Sequence, residues 1–242
     1  MMVALNKRTG EEIWRSAPNE IGREGRDGAG YSSIIISHGA GVKQYVQLTG
    51  RGLIGVAAED GRYLWGYNEI ANTTANIPTA IISGNYVFSS TGYGTGAVLL
   101  RLVARGNGVA AEEVYFLDGP TLQNHHGGMV LVDGYLYGGH GNNKGLPICV
   151  RLSDGEVQWG GNIRGAGYGS AGVTYADGHI YFRYQSGVIA LIEANPEEYR
   201  LVGKFTPEVV ESPSWSHPVI VDGRLYLREQ NSLMCYDIRK ES

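Results

Sequence analysis

Leu152-Ser-Asp-Gly-Glu-Val-Gln-Trp159 decides the fold. A turn glycine is followed four residues later by a tryptophan. The same spacing recurs at Gly10/Trp14 and Gly61/Trp65, so the motif holds three of the chain's 4 tryptophans. A rare bulky residue at one offset from a turn glycine marks a repeat, and repeats govern everything read afterwards. The glycine supplies a tight turn, because it takes positive φ without steric cost. The next strand then holds the indole on a fixed face, where it buries a large flat surface and keeps one N–H to donate. A strand repeat cannot bury both its faces alone, so Trp14, Trp65 and Trp159, with Gly61 and Gly155, are expected to dock one repeat on the next.

A second pattern fixes the period. Asp133-Gly134, Asp177-Gly178 and Asp222-Gly223 are each followed three residues after the glycine by Tyr137, Tyr181 and Tyr226. These glycines lie 44 and 45 residues apart. Asp-Gly between apolar strands is a strong hairpin signal. Four short strands per unit of about 45 residues is the period of propeller blades. No stretch sustains a 3.6-residue apolar period, so almost no helix is expected.

These patterns predict an all-β propeller of four-stranded antiparallel blades, about five of them, as a closed ring or an open arc. One domain is expected over 1–242, with full repeats at about 31–75, 76–124, 125–167 and 168–213. Partial repeats lie at 1–16 and 214–240, and strand Glu11–Ser16 is expected to complete the last blade if the ring closes.

Composition narrows the function. With 37 Gly and 16 Tyr in 242 residues, the chain suits many short strands and tight turns. A net charge of −4 without a basic cluster argues against a nucleic-acid partner. No apolar run reaches the length of a membrane span, and the start, Met1-Met2-Val-Ala-Leu-Asn-Lys-Arg, lacks the apolar core of a signal peptide. Cys149 and Cys235 lack zinc or redox spacing and read as small buried hydrophobes.

Ala4-Leu-Asn-Lys-Arg-Thr-Gly10-Glu-Glu-Ile-Trp14 resembles the tryptophan-docking repeat of the pyrroloquinoline-quinone (PQQ)-like propeller family. The family includes quinoprotein alcohol dehydrogenases and an outer-membrane assembly lipoprotein that forms a propeller scaffold. The resemblance covers nearly the whole chain and is specific for fold, not function. It implies a periplasmic or otherwise extracytoplasmic location. Relatives most often carry eight blades and an export signal, so the chain is expected to be a C-terminal portion or a shortened relative. In the dehydrogenases the resemblance implies PQQ over calcium, with carboxylate and amide ligands, an aspartate base and a disulfide of adjacent cysteines. Cys149 and Cys235 are not adjacent, and the acids fall in turns or on outer strands.

The expected function is therefore non-catalytic: a scaffold binding a protein partner or a small polar ligand at the channel mouth or loop face. The alternative is a PQQ-dependent dehydrogenase or a fragment of one; only that alternative calls for PQQ and calcium. The loops leading into the inner strands are small, hydroxylated or imidazole-bearing. His125, His126, Tyr168, Ser170 and His217 are the candidate ligand-binding residues at that mouth. No catalytic or metal-ligating residue is expected, for no short-range histidine spacing of a metal site is present. The glycine loops Gly92–Gly96 and Gly165–Ser170 open no predicted helix and read as close-packed backbone, not phosphate cradles.

Overall fold

The structure, a computed structural model, describes residues 2–17 and 20–239. Met1 and Lys240, the outermost residues of the expected partial repeats, lie outside them. The chain divides into two compact units, 1–119 and 120–242.

In the first unit, β1 (Met2–Leu5) and β2 (Glu12–Ser16) form a two-stranded hairpin. A four-stranded antiparallel sheet follows in chain order: β3 (Ile35–Ser37), β4 (Gln44–Thr49), β5 (Gly52–Ala57) and β6 (Tyr63–Tyr67). The next sheet is β7 (Ile81–Ser83), β8 (Tyr86–Thr91), β9 (Gly96–Arg105) and β10 (Gly108–Asp118). In the second unit, one sheet comprises β11 (Met129–Val132), β12 (Tyr135–His140), β13 (Leu146–Arg151) and β14 (Val157–Gly160). Another comprises β15 (Ala171–Ala176), β16 (His179–Tyr184), β17 (Ile189–Glu193) and β18 (Leu201–Phe205). The last has three strands, β19 (Val219–Val221), β20 (Arg224–Glu229) and β21 (Ser232–Asp237). Among the described residues, helical structure is limited to two three-residue 3-10 turns.

Turn chemistry produces these hairpins. Asp133/Gly134, Asp177/Gly178 and Asp222/Gly223 all have positive φ at both residues, the type I′ geometry whose twist matches the flanking strands. The tryptophan turns are identical in their bonding. Gly10, Gly61 and Gly155 N–H groups bond back to the carbonyls of Asn6, Ala57 and Arg151, and those residues' N–H groups reach the carbonyls of Glu11, Arg62 and Glu156. Each turn ends in a register slip, after which the indole lies opposite a small residue: Ala4 for Trp14, Gly55 for Trp65, Cys149 for Trp159.

The opposing residue decides where the indole goes. Trp14 Nε1 donates to Ala58 O of the next sheet's turn at 3.2 Å, and its ring covers Gly61, where a Cβ would sit 2.4 Å from the ring. Trp159 Nε1 donates to Asn195 O of the next sheet at 2.8 Å, with Tyr199 edge-on at 5.6 Å. Trp65 differs. Gly55 has no Cβ, so the indole sinks onto its own sheet and donates to Gln44 Oε1 at 2.6 Å. All three stay in apolar cores, those of Trp65 and Trp159 each shared by two successive sheets. Buried Val, Leu, Ile and Phe side chains there contribute about 1.5–3 kcal/mol each.

The repeat period reappears as a hydrogen-bond offset. Ser33 N–H bonds Thr79 Oγ1, Ala40 N–H bonds Asn85 Oδ1, Thr174 Oγ1–H bonds Pro218 O, and the Arg183 guanidinium bonds Arg228 O. Their partners are 44–46 residues apart.

β2 pairs with β1, and Met2 and Trp14 pack on Ile54, Val56 and Tyr45. One expectation is corrected. Cys235 is exposed: β21 alternates, with Met234 and Tyr236 turned inward and Leu233 and Cys235 outward. Cys149 is a buried hydrophobe as expected, and burial pushes its thiol up to about 11.

Candidate functional site

The five candidate residues lie in the second unit, on the loops that lead into its inner strands. Those loops are held by a buried polar residue repeated once per blade: Ser32, Asn76, Asn124, Ser170 and Ser214. They are 44, 48, 46 and 44 residues apart. Ser32 and Asn124 reach the second strand of their own sheet, and Asn76 reaches the turn after the second strand of the preceding one. Ser32 Oγ–H donates to Leu48 O, Asn76 Nδ2–H to Gly50 O, and Asn124 Nδ2–H to Gly139 O. Backbone polar groups buried in such loops must be satisfied, and these side chains satisfy them.

His125 follows Asn124, and its Nδ1 lies 2.7 Å from Ser170 Oγ. At first sight this is a nucleophile beside a base, but the donors run the other way. Ser170 Oγ–H donates to Asn143 Oδ1 at 3.0 Å, and Ser170 N–H donates to the same oxygen at 3.1 Å. With the serine proton on Asn143, the Nδ1–H tautomer of His125 donates to Ser170 Oγ. A hydroxyl that accepts from an imidazole is not activated by it. Ser170 is also buried.

His126 stacks at 4.7 Å from His125 and at 5.0 Å from Trp215. Its Nε2 is buried without a hydrogen-bond partner among the described residues. Burial, with smaller contributions from His125 and His217, holds its pKa down at about 4. It is neutral at physiological pH. Burial also lowers His125.

His217 is exposed and its Nδ1 contacts Val173 O at 3.4 Å. Its ring rests over Gly128 and Gly172, where added Cβ atoms would stand 3.6 Å from it. At Gly127 a Cβ would meet Ala171 O at 1.5 Å, so only glycine lets this loop lie on the next sheet. Tyr168 is 76% exposed, its backbone bonded to Ser186 and its ring in solvent. The structure thus joins His125, His126 and Ser170, places His217 over the glycines beside them, and leaves the Tyr168 ring apart. Among the described residues, no three His, Cys, Asp or Glu side chains gather as a metal site.

Of two further features, the first escaped the sequence reading. Arg183 at the end of β16 and Glu229 at the end of β20 are 0% and 1% exposed and form a buried ion pair. Arg183 also donates to Ser216 O at 3.0 Å and Arg228 O at 2.7 Å. Glu229 Oε1 accepts from Glu211 N–H at 3.2 Å. Trp215, off the docking pattern, is 53% exposed; its Nε1–H donates to Gln185 Oε1 at 3.0 Å. The one-repeat offset of 46 between Arg183 and Glu229 was the available signal for the first.

The sequence profile of a PQQ-like family, described as "Outer membrane protein assembly factor BamB", matches residues 1–161. No curated protein matches the chain. Among solved structures, the chain is similar to BamB from Moraxella catarrhalis with a TM-score of 0.50 and 13% identity, covering 96% of this chain and 77% of that one. It is similar to the computationally designed Ika8 protein with a TM-score of 0.62 and 9% identity, covering 95% of this chain and 63% of that one. At these identities the likeness concerns fold alone: all-β, with four-stranded antiparallel blades of the propeller type. No helix among the described residues is long and apolar enough to cross a membrane.

Proposed function

From the premise that the chain belongs to the PQQ-like family described as outer membrane protein assembly factor BamB, we propose a non-catalytic scaffold whose loop face binds a protein partner outside the cytoplasm. The observation that carries this reading is the His125–Ser170–Asn143 hydrogen-bond chain, which joins neighbouring loops. The polar groups that resemble a reactive site spend their protons holding two neighbouring loops together. What remains presented to solvent there is large and aromatic, with Tyr168 foremost. Exposed tyrosine and tryptophan rings on rigid loops are the chemistry of protein-binding hot spots. The family's description, an assembly factor of the outer membrane, supports both the partner class and the compartment.

The residues present do not fit a calcium-bound quinone. Calcium takes six to eight oxygen ligands. Near the imidazoles the side-chain oxygens of Ser170 and Asn143 are bonded to each other. Glu229, the buried carboxylate at the end of β20, is closed by Arg183 and the Glu211 N–H. No step through a quinone is derived for this chain.

The test is a photo-crosslinking amino acid at Tyr168, with Leu201 on the outer strand β18 as the comparison position. A discrete protein adduct at Tyr168 and none at Leu201 is expected. The reading fails if, instead, reconstitution with quinone and calcium gives dye-linked alcohol or aldose oxidation above the cofactor-free control, abolished by chelation.

A further inference from the structure

Beside the imidazoles, and separate from them, a cavity of about 370 Å³ is lined by residues 213–216 and 228–230. A second depression of about 350 Å³ shares Arg228 and Gln230 with it and continues along 231–233. Each lies near the low end of ligand-site volumes, roughly 300–1,000 Å³. Trp215 forms part of the first wall and is held from two sides. Its N–H is fixed by Gln185, and His126 packs against the ring at 5.0 Å. About half of the indole nevertheless stays in solvent. A rigid aromatic plane costs little conformational entropy to use.

The rest of the lining decides what meets that plane. Ser216, Arg228 and Gln230 supply hydroxyl, guanidinium and amide groups, so a purely apolar ligand would strand them. Ser214 Oγ is buried without a hydrogen-bond partner among the described residues. The Arg183–Glu229 pair is neutral as a unit, leaving Arg228 as the charged group of the cavity wall. A neutral molecule with one apolar C–H face and a rim of hydroxyls matches both halves: its face covers the indole and its hydroxyls meet the polar rim. Two adjoining depressions suit two linked rings.

We propose that this groove is a carbohydrate site, with Trp215 as the stacking platform and Arg228 and Gln230 as polar contacts shared by two sugar units. The cavity is lined by 213–216 and 228–230, and Tyr168 is not part of it. The experiment titrates glucose, N-acetylglucosamine, cellobiose and chitobiose against the intact chain and follows the heat of binding by calorimetry, which reads every variant alike. Saturable binding is expected for at least one disaccharide. Trp215→Ala should weaken it at least about tenfold, a loss of about 1.4 kcal/mol. Arg228→Ala/Gln230→Ala should weaken it too, while Leu201→Ala leaves it unchanged. Because Trp215 also packs on His126, melting curves accompany each variant, and the Arg228/Gln230 pair tests the site should Trp215→Ala fail to fold. No saturable response to any of the four sugars, or binding that survives both the Trp215 and the Arg228/Gln230 changes, overturns the proposal.

Discussion

Trp65 and Trp159 stand at the same place in two sheets, on the outermost strand, four residues after a turn glycine, yet they bond differently. Trp159 faces Cys149 across the ladder, stays raised, and gives its N–H to the next sheet. Trp65 faces Gly55, sinks, and gives its N–H to Gln44 of its own sheet. Both contribute apolar surface to a core shared with the following sheet. A single Cβ on the opposing strand thus selects whether the indole spends its hydrogen bond within a blade or between two. Shared burial is the constant in this joint, and the polar bond is the variable.

The contrast breaks most visibly if each joint is emptied. Trp159→Ala and Trp65→Ala should each cost about 3–5 kcal/mol, as large buried aromatics do. Thermal or denaturant unfolding checks this, and a Trp159→Ala melting point within a degree or two of the parent would show that the indole is no strut. Glu229→Ala attacks a joint built without an indole. Arg183 would be left charged and buried, at a cost of about 3–5 kcal/mol. Replacing both partners, Arg183→Met with Glu229→Leu, should fall within about 1 kcal/mol of the parent, because the desolvation cost disappears with the charges. A double-mutant cycle reads the coupling.

A smaller change sharpens the comparison directly. In Gly55→Ala the new Cβ would stand 2.2 Å from Trp65 Nε1, so the indole must rise. A cost of about 1–3 kcal/mol is expected from overpacking, with the Trp65 indole N–H resonance moving as its bond to Gln44 is lost. An unshifted resonance would show that Gly55 does not set the indole's position.

A further effect is on pH dependence. Folding lowers His126 from 6.5 to about 4. The unfolded chain therefore binds more protons between those values, so stability is complete above pH 6.5 and falls as pH drops towards 4. His126→Gln should flatten that slope, measured as melting temperature against pH. An unchanged slope would place the titrating groups elsewhere, with His125 and His140, also lowered by burial, the next to replace.

Much of this was legible in the sequence because it depends on backbone chemistry. Asp-Gly steps can only be tight turns here, and a glycine four residues before a tryptophan fixes a turn and a face together. The destination of each indole was not legible, because it depends on a residue across the ladder: Gly55, Cys149 or Ala4. The exposure of Cys235 was missed for a related reason, since Ile148-Cys-Val-Arg and Met234-Cys-Tyr-Asp look alike while only the first lies in a sheet with a fourth strand. Of the candidate site, the sequence located the histidine and serine positions but not their direction of donation, which turns on Asn143, 27 residues from Ser170. Tyr168 was chosen for its loop and proves to be a surface ring. Arg183 and Glu229 looked like ordinary strand charges, and only the partner one repeat away reveals them as buried.

The hydrogen bonds that span one repeat, from His125 to Ser170 or from Thr174 to Pro218, tie each blade to its immediate neighbour. Within either unit the molecule behaves as a row of coupled links, whose stability is a sum of link terms and neighbour terms. Such a row tolerates editing in whole links: duplicating one adds a link and a junction of a kind already present. A one-residue insertion within a strand has no such freedom. It would turn alternate side chains to the wrong face while leaving the neighbours in place. Length variation in this architecture is therefore quantised, in steps of about 45 residues, with finer changes confined to turns.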